Sequence, residues 1–485
     1  MTSDNNETAP ADPHDPVDEP DPDDHDPQAD SDPRVAHGAR YPKRRTIIWI
    51  AVVALIMALI AGIAVRQYLR TPPDPVPATV PVAISGLSLP KDAKLGIVVT
   101  LGDGAPSGSE WNQAAQGARV AQQRLSMGGA HLELIVENDH GTSDGARDAI
   151  SRLAGQGVAG IILATDGPQL ADALTSAQDA GVPVLLPYSS LSADAASVDG
   201  VWSLVPDTQG TAAAYAALLQ TSSHPLLIDA GPGLPEITGL ADAVPVSDGA
   251  DLSALAADVA HRTNADASAG GAYSGDPDKE QSAPVEDPND LLVISGRPVT
   301  QAMIVRALQA KEISVPIVLA PGATSPAFAT RLSEQGGSAS TNLVTVGAPW
   351  SDSVALSNDP HGRAMSAFLA GVRLSAENRE ILDLTEETPF ADVAAAADVR
   401  SHDAVIALAR AVSEAGSTKP SEVSKRLARL RLNPADGIGG PDLDFSHAQA
   451  FAGEATTLHA SDQWLGLRPG TGSGQLVWFA APGAA

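Results

Sequence analysis

The chain has 485 residues, a formal net charge of -29 and no cysteine. That length accommodates one large domain or two ordinary ones. The missing cysteine excludes a disulfide framework, a thiolate metal site, a cysteine nucleophile and a lipidated anchor, and the acidic balance argues against a nucleic-acid partner, whose phosphates it would repel.

Met1 to Pro33 carry twelve acidic residues and no Lys or Arg, with Pro recurring in "DPHDPVDEPDPDDHDP". Such a segment buries too little apolar surface to offset its ordering entropy, so residues 1–42 are expected to form a disordered cytoplasmic tail. A transmembrane anchor is expected over 43–68. Thr46 to Val65 contain no charged residue, and about 20 apolar residues at 1.5 Å rise span a hydrocarbon core of roughly 30 Å. A cleaved signal peptide competes with this reading, but the run is long for one, and Arg66 and Arg70 follow it rather than a clear small-residue cleavage site. Lys43, Arg44 and Arg45 outweigh those two, which keeps the N-terminus in the cytoplasm and the bulk of the chain outside the cell membrane. The Pro-rich stretch over 69–93 reads as a semi-rigid spacer.

From Lys94 onward, apolar strand-like runs alternate with Ala-rich helical patterns. "KLGIVVTL", "HLELIVEND", "AGIILATD" and "VPVLLPYS" read as strands with helices between them, an order that implies a parallel sheet covered on both faces. A second unit of the same grammar follows "VWSLVPDTQG", with strands at "PLLIDAG", "LLVISG" and "PIVLAP". It is interrupted over 263–290 by a polar, acidic, Gly/Pro-rich run, expected to be a disordered surface insertion. After "NLVTVGAPW" come three further helical patterns, then "GGPDLDFS", "ATTLHASDQ" and "QLVWFAA" as short closing strands.

These segments, in this order, resemble the type I periplasmic binding proteins, the Leu/Ile/Val-binding branch of ABC importer receptors. The resemblance rests on "AAQGARVA" after the first strand, on "HLELIVENDHGTSDGARDAISRLAGQGVAGII", on "AGVPVLLPYSS", on "WSLVPDTQGTAAAYA" and on "SHDAVIALARAVSEAGSTKPSEVSKRLARL" with "GIGGPDLDFS". It implies an α/β fold of two lobes joined by three crossings, with lobe 1 at 94–206 and 349–438 and lobe 2 at 207–348 and 439–481. It also implies a small-molecule solute held in the cleft between lobes, and ABC permease subunits as partners.

In the amino-acid receptors of that family, hydroxyls and backbone N–H groups hold the ligand carboxylate, and acidic groups hold its ammonium. Carried to this chain, the resemblance points to Ser189 and Ser190 after the fourth strand, with Ser190 either binding or capping a turn. Tyr188 stands where a small residue is usual, and Trp111 where an aromatic wall is common. Thr165, Asp166 and Gly167 occupy the loop after the third strand, where the family supplies small hydroxyl residues. Asp166 reads equally as a cap for a helix starting at Pro168. Asp207 matches the family's acid after the first crossing, though it also suits a helix cap. Trp350 falls at the second crossing, Phe390 in the returning segment, and His402 where the family's Tyr is usual. The second lobe lacks the expected aromatic in "DAGPGLPEITG" and an acid in "APGATSPAFA".

No catalytic motif accompanies these residues: there is no Gly-x-Ser-x-Gly, phosphate loop or His-Glu-x-x-His. Neither an enzyme nor a cofactor is expected. The rival to a receptor for an amino acid or similar small polar solute is an extracellular interaction or sensory domain that kept the fold and lost the pocket.

Overall fold

The computed structural model of the chain describes residues 81–191, 199–266, 284–340, 342–349, 351–470 and 476–480. The expected tail and anchor, the first part of the expected spacer (69–80), the middle of the insertion (267–283) and Trp350 lie outside them. No helix among the described residues is long and apolar enough to cross a membrane.

The first lobe opens with β1 (Lys94–Val99), α1 (Gly117–Met127), β2 (Glu133–Asn138), α2 (Ser143–Gly155), β3 (Ile161–Leu163), α3 (Leu170–Ala180), β4 (Val184–Leu186) and β5 (Val201–Ser203). These strands form a parallel sheet in the order β2-β1-β3-β4-β5. Nearly continuous Ile, Val and Leu in β1, β3 and β4 suit strands buried on both faces. Local chemistry sets the helix starts, as where Thr142 accepts from the Gly145 N–H at 3.0 Å to begin α2.

The chain then enters the second lobe with α4 (Thr208–Leu219), β6 (Pro225–Asp229), β7 (Asp242–Pro245), α5 (Leu252–Arg262), β8 (Leu291–Ile294), α6 (Pro298–Gln309), β9 (Ile317–Leu319), α7 (Pro326–Glu334) and β10 (Leu343–Gly347). It returns through α8 (Pro360–Glu377), α9 (Phe390–Val393), α10 (Val399–Ala415), α11 (Pro420–Leu427), β11 (Arg431–Leu432) and β12 (Leu443–Asp444). It crosses a third time to β13 (Thr456–Ser461) and β14 (Val477–Ala480), which add antiparallel strands to a sheet ordered β14-β13-β10-β9-β8-β6-β7. The two lobes and three crossings are those the sequence implied. β5, β7 and α7 were not expected: β5 and β7 are short, and α7 follows a Pro-Gly-Ala-Thr turn that hides its helical period.

Packing moves three boundaries. The first lobe begins about ten residues before Lys94, because Ile84 is buried in its core, Leu87 and Leu89 pack against it, and Arg124 Nε donates to the Val82 carbonyl at 2.8 Å. The lobe also keeps the chain beyond residue 438. β12 pairs with β11, Leu443, Phe445, Ala450 and Phe451 are buried in the first-lobe core, and Trp202 Nε1 donates to the Phe445 carbonyl at 2.9 Å. Finally, both ends of the insertion are tied down. Asn264 exchanges two hydrogen bonds with the Val285 backbone, and the Asn289 N–H donates to the Arg262 carbonyl at 2.9 Å.

Between β13 and β14 the chain makes an excursion to the first lobe. Leu467 packs on that lobe's core, and Arg468 grips Asp352 through Nε at 2.6 Å and Nη2 at 2.8 Å. Burial alone would lower the Arg468 pKa, but the charge of Asp352 and its hydrogen bonds hold it above the usual value.

Candidate functional site

The segments following β3, β4, β5, β6, β8, β9 and β10 converge on a cleft of about 750 Å³ between the lobes. Ligands of open α/β sheets bind at the carboxyl ends of strands, so this is where a site belongs.

Ser190 is exposed on the cleft wall, with the Thr208 hydroxyl donating to its Oγ at 3.5 Å. Ser189 lies behind it, buried, its hydroxyl donating to the Thr165 carbonyl at 3.2 Å. Gly167 lines the cleft and needs to be small: a Cβ there would lie 2.5 Å from Gln169 Oε1.

Two of the expected ligand contacts point elsewhere. Thr165 is fully buried; its hydroxyl bonds Thr100 Oγ1 at 2.6 Å and accepts from Gln169 Nε2 at 3.2 Å, inside a polar knot beneath the loop. Asp207 caps α4 by accepting from the Gly210 N–H and is absent from the cleft wall. A carboxylate preceding a helix finds the unpaired N–H groups of the first turn at hand, and here that local demand wins.

For Asp166 the outcome is reversed. It caps no helix, since α3 starts at Leu170 behind Gln169, and its side chain stands on the cleft wall. The carboxylate meets cleft water yet has protein on most sides. Burial pushes its pKa up and the charge of Glu110 adds to this, against a hydrogen bond from Ser189. Ser189 has one hydroxyl proton to offer, and the Thr165 carbonyl competes for it.

Trp111 and Tyr188 form a single object. Their rings stack at 4.5 Å with an interplanar angle of 2°, and Arg400 Cζ sits 4.7 Å from one centroid and 4.9 Å from the other. The three centres thus make a near-equilateral triangle. Tyr188 lines the cleft as a buried ring that supports the Arg400 guanidinium. Among the described residues its hydroxyl has no partner in hydrogen-bonding geometry, and burial together with the charge of Asp398 drives its pKa well up. Arg400 opens α10 and forks onto Asp398, Nε to Oδ1 at 2.9 Å and Nη2 to Oδ2 at 3.0 Å. Burial acts to lower the Arg400 pKa, but the Asp398 charge and hydrogen bonds prevail and raise it.

A second ion pair spans the cleft itself. Arg297, at the start of α6 in the second lobe, reaches Glu110 of the first at 2.6 Å through Nη2 and 2.8 Å through Nε, and donates to the Ala105 carbonyl at 2.7 Å. Glu110 also accepts from the Gly108 N–H at 2.7 Å. Sequence reasoning passed over Glu110, Arg297, Asp398 and Arg400. The available signals were thin: Glu110 adjoins Trp111, and Arg297 stands between a strand end and a Pro that opens a helix. The second lobe's share of the wall includes many Pro and Gly residues, those of "DAGPGLPEITG" and "APGATSPAFA" bringing neither an aromatic nor an acid to it, and its aromatic, Trp478, arrives from the last strand.

Phe390 and His402, the remaining candidates of the returning segment, are fully buried in the first-lobe core and do not reach the cleft.

No protein-family model matches the chain, and no curated protein matches it by sequence. Solved structures do. The substrate-binding protein LivJ of the branched-chain amino acid transporter of Streptococcus pneumoniae str. Canada MDR_19A, in complex with isoleucine, is 16% identical over 81% of this chain and 99% of its own, with a TM-score of 0.55. The leucine-binding protein LivK of Thermotoga maritima MSB8 is 16% identical over 80% of this chain and 98% of its own, at 0.52. An ABC transporter solute-binding protein of R. palustris, in complex with 4-hydroxybenzoate, is 12% identical over 81% of this chain and 96% of its own, at 0.54. The structural neighbours are type I periplasmic binding proteins of the Leu/Ile/Val-binding and related kinds, and this chain has their fold.

Proposed function

We propose that this chain is a membrane-anchored, extracytoplasmic solute-binding protein for an ABC-type importer, taking an amino acid or similar small polar solute, and that it is not an enzyme. The observation carrying this reading is the two-lobed fold with a cleft of about 750 Å³ at the strand ends of both sheets. The neighbours at TM-scores of 0.55 and 0.54 hold isoleucine and 4-hydroxybenzoate, which supports a small solute without choosing one. Anchoring rests on the uncharged run from Thr46 to Val65 and on the basic residues before it.

A thermal-shift screen of the chain against amino acids, small amides and aromatic acids tests the receptor reading. A solute at about 100 times its dissociation constant adds roughly 2.7 kcal/mol of stability. Ser190 should hold the ligand's anionic or carbonyl oxygen. Losing a hydrogen bond to a charged group costs roughly 1.5–3 kcal/mol, so Ser190→Ala should weaken binding about tenfold or more while leaving the unliganded melting temperature nearly unchanged. For topology, protease added to intact cells should digest the large domain and spare an epitope placed before Thr46. The opposite pattern would overturn the extracytoplasmic assignment.

One observation favours the second reading, an interaction or sensory domain: Arg297 and Glu110 already bridge the cleft with the protein's own charges. Failure of every small solute to stabilise the chain at millimolar concentration would select it.

A further inference from the structure

The lobes can rotate only about the segments that cross between them, and these gather at one side of each sheet. The first crossing leaves from β5, an edge strand, and the chain approaching the third runs beside it, with Ser203 bridging Gln449. The second crossing leaves from β10, and the third arrives at its neighbour β13. Glu110 and Arg297 lie away from that side. Glu110 follows β1, three strands from β5, and Arg297 follows β8, two strands from β10. At about 4.8 Å per strand the pair has a lever arm of about 10–14 Å, so a rotation of about 10° parts it by roughly 2 Å more, beyond hydrogen-bonding reach. Arg468, by contrast, meets Asp352 directly after the second crossing, where rotation moves little.

Neither lobe needs these groups for itself. Arg297 holds the N-cap position of α6, where its cation faces the positive end of the helix dipole; its side chain caps nothing, and no acid stands in the first turn. The first-lobe loop that receives it is held in an unusual backbone. Ala105, whose carbonyl accepts from Arg297 Nη2, has a φ of 51°, a left-handed conformation uncommon outside glycine. Gly108, whose N–H donates to Glu110, has a φ of 103°, and a Cβ there would lie 2.3 Å from Thr165 Oγ1. Gln169 Nε2 donates to the Ser107 carbonyl at 2.9 Å, which fastens the loop to the polar knot beneath. The loop thus fixes the Glu110 carboxylate without help from the second lobe. At 6% exposure, that carboxylate requires a counter-charge whenever the cleft is shut.

We propose that Arg297 and Glu110 form a latch that holds the lobes together through the chain's own charges. It is an autoinhibitory contact: both residues line the cleft, so whatever enters must first break the pair. The latch depends on the two-lobed fold alone and stands under either functional reading above.

The test measures the distance between lobes in the full chain with no solute added. The chain has no cysteine, so two introduced thiols take spin labels cleanly. Ser143→Cys and Asp248→Cys are exposed just beyond β2 and β7, the edge strands remote from the crossings. The labelled parent should show one dominant short distance. Arg297→Gln and Glu110→Gln should each raise the ratio of open to closed molecules about tenfold or more, and the double variant should open no further than either, since both remove one interaction. Should Glu110→Gln fail to fold, Arg297→Gln, whose side chain is 41% exposed, decides alone. An unchanged distance in folded Arg297→Gln would mean that other contacts shut the cleft and overturns the latch. A parent already open, or a double variant whose effect is the sum of the two singles, overturns it as well. None of these outcomes bears on whether a solute binds, which the thermal-shift screen decides separately.

Discussion

Asp403→Ala should destabilise the protein by about 3–5 kcal/mol, the range for removing one partner from a buried charged network. Asp403 is fully buried and accepts from the backbone N–H groups of Gly439 and Gly440, both at 2.8 Å, and bonds His402 Nδ1 at 2.7 Å. His402 Nε2 lies 2.8 Å from Arg124 Nη1. Arg can only donate, so Nε2 must accept and Nδ1 carries the proton given to Asp403. Burial lowers the Arg124 pKa to about 10, against the charge of Asp403. Truncating Asp403 therefore strands a buried guanidinium without its counter-charge and leaves two buried N–H groups unpaired. The melting temperature should fall by roughly 5–15 °C. A drop of less than a degree or two would mean that water replaces the carboxylate, which the sealed environment argues against.

The same network gives the stability a pH dependence of definite sign. Burial and the nearby Arg124 charge lower the His402 pKa, outweighing the Asp403 hydrogen bond. A histidine depressed on folding takes up its proton more readily in the unfolded chain. Its contribution is therefore intact above the unfolded value of about 6.5 and is lost as the pH falls below it, at up to about 1.4 kcal/mol per pH unit. Denaturation of the parent and of His402→Gln between pH 7.5 and 5.5 isolates this slope, which the variant should lack.

Gly117→Ala should cost about 1–3 kcal/mol, although alanine is the better helix former by about 1 kcal/mol. Gly117 opens α1 with ordinary helical angles, so its requirement comes from its neighbour rather than its backbone. A Cβ there would lie 1.8 Å from the Asp398 carbonyl oxygen and 2.6 Å from Ser401 Oγ. The approach is locked by the Asp398 N–H and the Ser401 hydroxyl, which donate to the Ala114 carbonyl at 2.9 and 3.0 Å. Gly155 supplies the contrast: it ends α2, is exposed, and has nothing within 4 Å of its would-be Cβ. Gly155→Ala should be neutral or stabilise by up to about 1 kcal/mol. Opposite signs for one chemical change would establish the close approach; equal signs would refute it. Because the clash pushes against the residue before α10, Gly117→Ala should also loosen Arg400 and alter Trp111 fluorescence.

The sequence by itself determined what depends on local period. Runs such as "KLGIVV" and "VLL" are strands because adjacent β-branched and apolar residues suit a sheet buried on both faces. Their alternation with Ala-rich helices leads to parallel order and two lobes. It also brought Ser190, Asp166, Gly167 and Trp111 to the cleft, since loops after parallel strands collect at one edge. Side-chain direction was decided only by the tertiary structure. Thr165 and Asp166 are neighbours in one loop, yet one is drawn into a buried knot with Thr100 and Gln169 while the other faces the cleft. Partner choice was equally out of reach. Arg297 meets Glu110 across 187 positions, and Arg400 settles on Trp111 and Tyr188 only when the returning segment packs into the first lobe. The stretch over 82–93 went unread for the same reason: its Pro-rich composition resembles a linker, and Ile84 becomes core only because Arg124 and the turn at Gly437 provide a surface to bury it. Periodicity records what each segment must bury, whereas the identity of what buries it depends on contacts that no local pattern encodes.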